Sequence, residues 1–463
     1  MLQTSPALVE GALSASESVP PVHRLPAELL SEIFLVYWDI LVRPIYVQDL
    51  FPLVVLTHVC DRWRQCASST PQIWHRIVIS VSPFTRATGS FEARVVERRI
   101  KSRTELAQFC VARSGNLSLI VALWITCGPS RNLQQSMDAW RSWLPRCKSL
   151  TLATGTPMIR ELLDQLAEMP LLESLHVKSE PGYHGDPLQL GRVRMPKLRE
   201  LTSDLIPPHL IDSAFPWDQI SRISMECVIL DNSSFSVLSR CQSLRSLYIN
   251  ITYCSVEGLG PISLPGLEDL TLCFEDEEYT VLLPAILAPA LRVLHLEAWH
   301  WDGGPSIIPP LISMLTSSGC QLTSMDLNCR DIFDDADELR RLFNTVPSLE
   351  ELVMKGYYSS DIRRETLLFF RLFLQIPPDD YLVPRLKKLD VSLEKIGIVQ
   401  SPSDSAISNM LNLRRLLGRY EFSISVLENA SIRIWGENGE KSWHMSDGGQ
   451  VTKEGSDFDD HPE

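Results

Sequence analysis

A short leucine phrase recurs along most of this chain, and no single copy of it can fold alone. From residue 147 onward the sequence contains CKSLTL, MPLLESLHV, MPKLRELTS, FPWDQISRISM, CQSLRSLYI, LPGLEDLTL, APALRVLHL, GCQLTSMDL, VPSLEELVM and VPRLKKLDV. The leading apolar residues of the last nine are Leu172, Leu198, Ile220, Leu244, Leu267, Leu291, Leu322, Leu349 and Leu386, spaced 26, 22, 24, 23, 24, 31, 27 and 37 residues apart. In each phrase the last two apolar residues lie two apart and so share one face of a short strand, while the first closes the layer from the preceding turn. One such strand leaves its apolar face in water. Stacked neighbours bury it, which calls for an array of layers, each in contact with the next.

Apart from the 31 and the 37, the spacings fall in the ~20–29-residue period of leucine-rich repeats. The alternative is a set of unrelated amphipathic helices, since a proline followed by leucines also opens helices. Ten recurrences with Pro or Cys at nearly the same offset favour the repeats. Helix-like pieces at 160–169, 335–343 and 365–374 would form the outer layer. In the strand LSLIVALW, 117–124, Leu117, Leu119, Val121 and Leu123 share a face. The fold class expected is α/β: a small all-α helical module followed by an irregular leucine-rich-repeat solenoid.

This divides the chain into a disordered leader (1–21), the helical module (22–80), a charged connecting segment (81–105), the solenoid (106–400) and a C-terminal region with a disordered acidic tail (401–463). Residues between the two strand leucines should face outward. They include His176, Tyr248, His295 and Asp326, a polar set with one aromatic anchor that suits a protein substrate. Each could equally be solvated sheet surface. Trp299 and Trp301, in HLEAWHWDGG, are further candidates for substrate contact, or else pack over the edge of the solenoid.

Composition narrows the function. A net charge of -14 argues against a nucleic-acid partner, which needs a clustered positive field. The eleven cysteines include no C-x-x-C pair and mostly sit in apolar runs, as expected of reduced thiols in an intracellular protein of the cytoplasm or nucleus. The N-terminus lacks the features of a secretory signal, and the longest uncharged stretch, Gly303 to Met325, is interrupted by prolines, so no membrane association is expected. Phosphate-loop, dinucleotide, zinc-protease and nucleophile-elbow motifs do not occur. Neither catalytic residues nor a metal or cofactor is expected.

Near the start, HRLPAELLSEIF (23–34) places Pro26 in a helix's first turn, where its missing N–H has no partner to lose. Leu29, Leu30, Ile33, Phe34 and Tyr37 then make a broad apolar face. The stretch at 53–69 carries Val55, Val59, Trp63 and Cys66 at helical spacing, stopped by Thr70-Pro71, and QIWHRIVIS follows. A module of this size has little core of its own and leans on a partner.

The wording L-P-x-E-L-L-x-x-I-F, L-x-x-V-C-x-x-W-R and T-P-x-I-W resembles the F-box, in the form found in F-box proteins of mushroom-forming fungi, and leucine-rich repeats are a common companion of that module. The resemblance implies a non-catalytic subunit of a ubiquitin ligase. It would dock a Skp-type adaptor, linked in turn to a cullin and a RING subunit, and capture a protein substrate with its repeats. The adaptor-facing residues carried over are Leu25, Pro26, Glu28, Leu29, Ile33, Phe34, Val59, Cys60, Trp63 and Trp74, with Trp63 and Trp74 also the leading candidates for the module's own core. The insertion YWDILVRPIYVQDLF, 37–51, departs from a compact F-box. A rival reading has the module merely capping the first layer of a binding scaffold.

Overall fold

The computed structural model describes residues 24–41, 51–81, 90–125, 131–178, 190–204, 215–255, 260–275, 277, 279–298, 305–329, 332, 335–358, 383–395, 408, 411–412, 426–436, 439–445 and 451–455. Each leucine phrase ends in a strand. These strands are β3 (Cys147–Thr154), β4 (Ser174–Lys178), β5 (Glu200–Asp204), β6 (Arg222–Asp231), β7 (Ser246–Ser255), β9 (Asp269–Phe274), β11 (Val293–Ala298), β12 (Ser324–Cys329), β13 (Glu351–Tyr358) and β14 (Lys388–Lys395). With β1 (Arg76–Val81), β2 (Leu119–Ile125), β15 (Asn429–Gly436), β16 (Gly439–Met445) and β17 (Val451–Gly455) they form one open sheet in chain order. Pairing is parallel from β1 to β15 and antiparallel through β16 and β17. Two short strands, β8 (Ile262–Ser263) and β10 (Ile286–Leu287), pair separately.

The phrase sets the register. Leu150, Leu175, Leu201, Ile223, Leu247, Leu270, Leu294, Met325, Leu352 and Leu389 are paired strand to strand, and all are buried. A second buried row runs two residues further on and includes Leu152, Val177, Met225, Ile249, Leu272 and Leu296. The turn before each strand is built alike. The N–H of Leu172, Leu198, Leu267, Leu291, Leu349 and Leu386 donates to the carbonyl three residues back, on Met169, Met195, Leu264, Ala288, Val346 and Val383. Proline occupies the second place of all six turns, where a φ near −65° is required and no N–H is needed. A second backbone chain crosses the strand starts: Arg199 donates to Glu173, Ser221 to Arg199, Arg245 to Ser221, Glu268 to Arg245 and Arg292 to Glu268, at 2.8–2.9 Å.

Helices cover the leucine side. α4 (Ser90–Arg113) and α5 (Arg131–Arg141) pack together near β1, and α6 (Thr156–Leu163), α7 (Asn232–Leu238), α8 (Tyr279–Ala285), α9 (Ile308–Ser318) and α10 (Ala336–Thr345) follow between later strands. Their apolar faces join the strand rows in one core. The helix expected at 160–169 begins and ends earlier, as α6. That at 335–343 is α10, with Asp335 as its N-cap. The helix expected at 365–374 lies outside the described residues, as do the leader and the last eight residues.

Two expectations are corrected. The segment at 53–69 is not one helix but two, α2 (Phe51–His58) and α3 (Asp61–Ser68), preceded by α1 (Ala27–Leu41). Cys60 is extended (φ −161°, ψ 171°) and its Sγ accepts from the N–H of Trp63, so the chain starts a new helix there. Secondly, GEKSWHM and VTKEG, placed in the disordered tail, form β16 and β17. Trp443 and Met445 alternate with polar neighbours and are buried opposite Ile432 and Ala430, a short pattern hidden in polar surroundings.

Candidate docking surfaces

The N-terminal helices divide their apolar residues between two sides. Leu30 and Phe34 of α1 turn inward. Phe34 meets Trp63 of α3 at 5.1 Å between ring centroids, and Ser31 Oγ links α1 to Cys66 Sγ (3.1 Å) and Thr70 Oγ1 (2.9 Å). Arg62 of α3 donates to the carbonyl of Leu25, fixing the start of α1, and Arg64 donates to the carbonyl of Thr57 at 2.9 Å. Trp74 is 0% exposed. Its indole N–H donates to the carbonyl of Ala67 at 2.6 Å, and its ring meets Phe109 of α4 edge-on at 5.5 Å.

What is left outside is unusual for a surface. Leu29 is 53% exposed, Ile33 48% and Val59 54%, and Val36, Tyr37 and Val55 are exposed as well. Half of the large apolar side chains exposed among the described residues fall in this one short region. Pro26 and Glu28 are exposed beside them. Of the residues expected to face an adaptor, Pro26, Glu28, Leu29, Ile33 and Val59 are therefore accessible. Leu25, Cys60 and Trp63 are half-buried in cap and helix contacts. Phe34 and Trp74 are corrected: both are sealed in the chain's own core and cannot contact another protein. Sequence reading missed Val36 and Val55 as outward residues, although each continues the helical spacing of Ile33 or Val59.

The second surface is the sheet face opposite the leucine rows. His176, Tyr248, His295 and Asp326 all stand on it, half-buried, in one row set by the strand register. Trp299 and Trp301 lie outside the described residues. Asp204 lies 3.4 Å from His176 and 3.0 Å from Lys178; burial pushes its pKa up, but these two neighbours outweigh that and hold it below the usual range. His295 Nδ1 is 3.5 Å from Asp326, whose hydrogen bond raises the histidine's pKa. Burial, then the neighbouring Cys273 and Glu226, push the Tyr248 hydroxyl up to about 12. Burial followed by Glu297 pushes the Cys273 thiol to about 11. Such groups stay protonated at neutral pH, the thiol in its weakly nucleophilic form.

Among the described residues no group of three or more His, Cys, Asp or Glu side chains is placed to hold a metal ion, and no helix is long and apolar enough to cross a membrane. No curated protein matches the chain. Residues 22–80, which carry α1 to α3 and nearly all of β1, match the family model described as F-box-like, and F-box domains generally bind Skp-type adaptors.

Proposed function

We propose that the chain is the substrate-recognition subunit of a Skp-cullin-F-box ubiquitin ligase, with α1 and α2 docking the Skp-type adaptor and a leucine-rich-repeat solenoid offering its strand face to a protein substrate. Ubiquitin transfer belongs to other subunits. The observation that carries this reading is the exposed cluster of Leu29, Ile33, Val36, Tyr37, Val55 and Val59 within the F-box-like match. Exposed apolar side chains concentrated in one short region of the chain mark a protein-binding site, and covering each of them contributes on the order of 1 kcal/mol. The solenoid reading is supported by parallel strands in chain order, a repeated proline turn and helices on one side.

A specific observation also favours the capping role. β1, all but Val81 of which lies in the F-box-like match, is the terminal strand of the sheet, with Ile77, Ile79 and Val81 buried. The two roles use different residues and coexist: β1 covers the first layer, while α1 and α2 remain open. The test is co-purification with a Skp-type adaptor. Wild type should retain the adaptor and Leu29→Asp with Ile33→Asp should lose it while keeping its circular dichroism. Retention by the double variant, or no capture by wild type, would sink the ligase reading.

A further inference from the structure

α1 carries more apolar surface than its packing covers. At about 100° per residue, Val36, Leu29, Ile33, Tyr37, Leu30 and Phe34 follow one another around an arc of about 160°, and Ser31 stands about 60° beyond Phe34. Exposure falls along this arc from 57% at Val36 to 39% at Tyr37, then to 0% at Leu30 and 1% at Phe34. α3 takes the Phe34 and Ser31 side.

Apolar burial alone does not set this direction. Rolling α1 by one residue, about 100°, would point Leu29 where Leu30 points, Ile33 where Phe34 points and Leu30 where Ser31 points. The first two changes put leucine for leucine and isoleucine for phenylalanine, at the loss of the Phe34–Trp63 contact. The third removes a hydroxyl from a buried polar node. Thr70 Oγ1, just past α3, donates to the carbonyl of Cys66 at 2.8 Å, which commits its single proton. In its contact with Ser31 Oγ at 2.9 Å, Thr70 is therefore the acceptor and Ser31 the donor. The Cys66 thiol lies beside them, 3.1 Å from Ser31 Oγ and 3.3 Å from the carbonyl of Ala27. Ser31 Oγ also reaches the Ala27 carbonyl at 3.0 Å, but that bond is internal to α1 and survives any roll. The bonds to Thr70 and Cys66 do not. Cys66 and Thr70 are 5% and 6% exposed, so water does not readily replace the hydroxyl they would lose.

We propose that Ser31, through Thr70 and Cys66, fixes the roll of α1 and so decides which half of its apolar arc is offered to the adaptor. Ser31 is a positioning residue, since it faces α3 rather than the partner. Without these bonds the helix populates both settings. Only the setting with Leu29, Ile33 and Val36 outward is competent to dock, so the apparent affinity falls with the competent fraction. The inference rests on the adaptor-docking reading above.

The test uses the full chain and three variants: Thr70→Val, which keeps the shape of the side chain without its oxygen, Thr70→Ser, which keeps the oxygen, and Ser31→Ala. Affinity for a Skp-type adaptor is measured by isothermal titration. Thr70→Val and Ser31→Ala should each bind about threefold to tenfold more weakly, the range expected of one hydrogen bond. Their combination should lose little more than either alone, because both remove the same contact. Thr70→Ser should bind like wild type. A second readout needs no adaptor. Leu29→Cys, introduced into wild type and each variant, reports the roll through its rate of thiol alkylation, followed by peptide mass spectrometry. A roll that turns residue 29 inward slows this rate by about the factor lost in affinity, whereas general loosening of the module leaves it unchanged or raises it. Unchanged or faster labelling in Thr70→Val and Ser31→Ala would overturn the proposal, as would equal losses of affinity in Thr70→Val and Thr70→Ser. Absence of adaptor binding by wild type would defeat the ligase reading, and the labelling rates then decide the roll by themselves.

Discussion

Phe34 and Trp63 meet at 5.1 Å with their rings inclined by 60°, while Ile33, one residue before Phe34, is 48% exposed. Successive residues of α1 thus serve opposite ends, one closing the helical module and the other facing outward. Substitutions should separate the two. Phe34→Ala should destabilise the fold by about 3–5 kcal/mol in chemical denaturation, through the cavity left against Trp63. Ile33→Asp, at an accessible position, should stay within about 0.5 kcal/mol of wild type. A stability loss as large for Ile33→Asp as for Phe34→Ala would contradict this division.

Trp74 joins the helical region to the sheet, through its hydrogen bond to Ala67, its contact with Phe109 and the strand that follows it. Arg113 completes the stack, its guanidinium lying over the Phe109 ring at 3.4 Å. Trp74→Ala should lower stability by about 3–5 kcal/mol. Because the lost contacts tie α3 to α4, hydrogen exchange should accelerate in both helices; protection lost from α3 alone would argue against the junction.

The strands were legible because their physics is local and repeated: alternating leucines define the inner face, and proline turns space them. The division of α1 was not. Leu29, Leu30, Ile33, Phe34 and Tyr37 read as one broad apolar face, and nothing in their spacing distinguishes Leu30 and Phe34, which are buried, from Leu29 and Ile33, which meet solvent. That distinction depends on where α3 lies, a tertiary fact. The break at Cys60 was hidden for a related reason. Val55, Val59 and Trp63 keep helical spacing across it, and the signal that divides them is a cysteine acting as an N-cap, a role usually held by Ser, Thr, Asp or Asn.

Asp335 caps α10, its Oδ1 accepting from the N–H groups of Asp337 (2.8 Å) and Glu338 (3.0 Å). Asp335→Ala should cost about 1 kcal/mol by releasing both donors. Asp335→Asn keeps an acceptor oxygen and should recover most of that loss. Equal destabilisation by the two would mean that the charge, rather than the cap, matters. Equilibrium unfolding distinguishes these outcomes.

Two ion pairs on the strand face should give opposite pH dependences. His295 has its pKa raised in the fold by the hydrogen bond to Asp326, against the effect of burial, with Asp269 raising it further and Lys355 lowering it. Its contribution to stability is complete below the unfolded histidine value of about 6.5 and is lost as pH rises through the folded value. The advantage of wild type over His295→Gln in thermal unfolding should therefore shrink as pH rises above about 6.5. Asp204, held below its usual range by His176 and Lys178, contributes above the unfolded aspartate value of about 3.9 and loses that contribution as pH falls through the folded value. Wild type should thus lose its advantage over Asp204→Asn on acidification. A His295→Gln difference that stays constant with pH would show that the His295–Asp326 contact is not coupled to folding, and the same outcome for Asp204→Asn would exclude a folding role for the Asp204 charge.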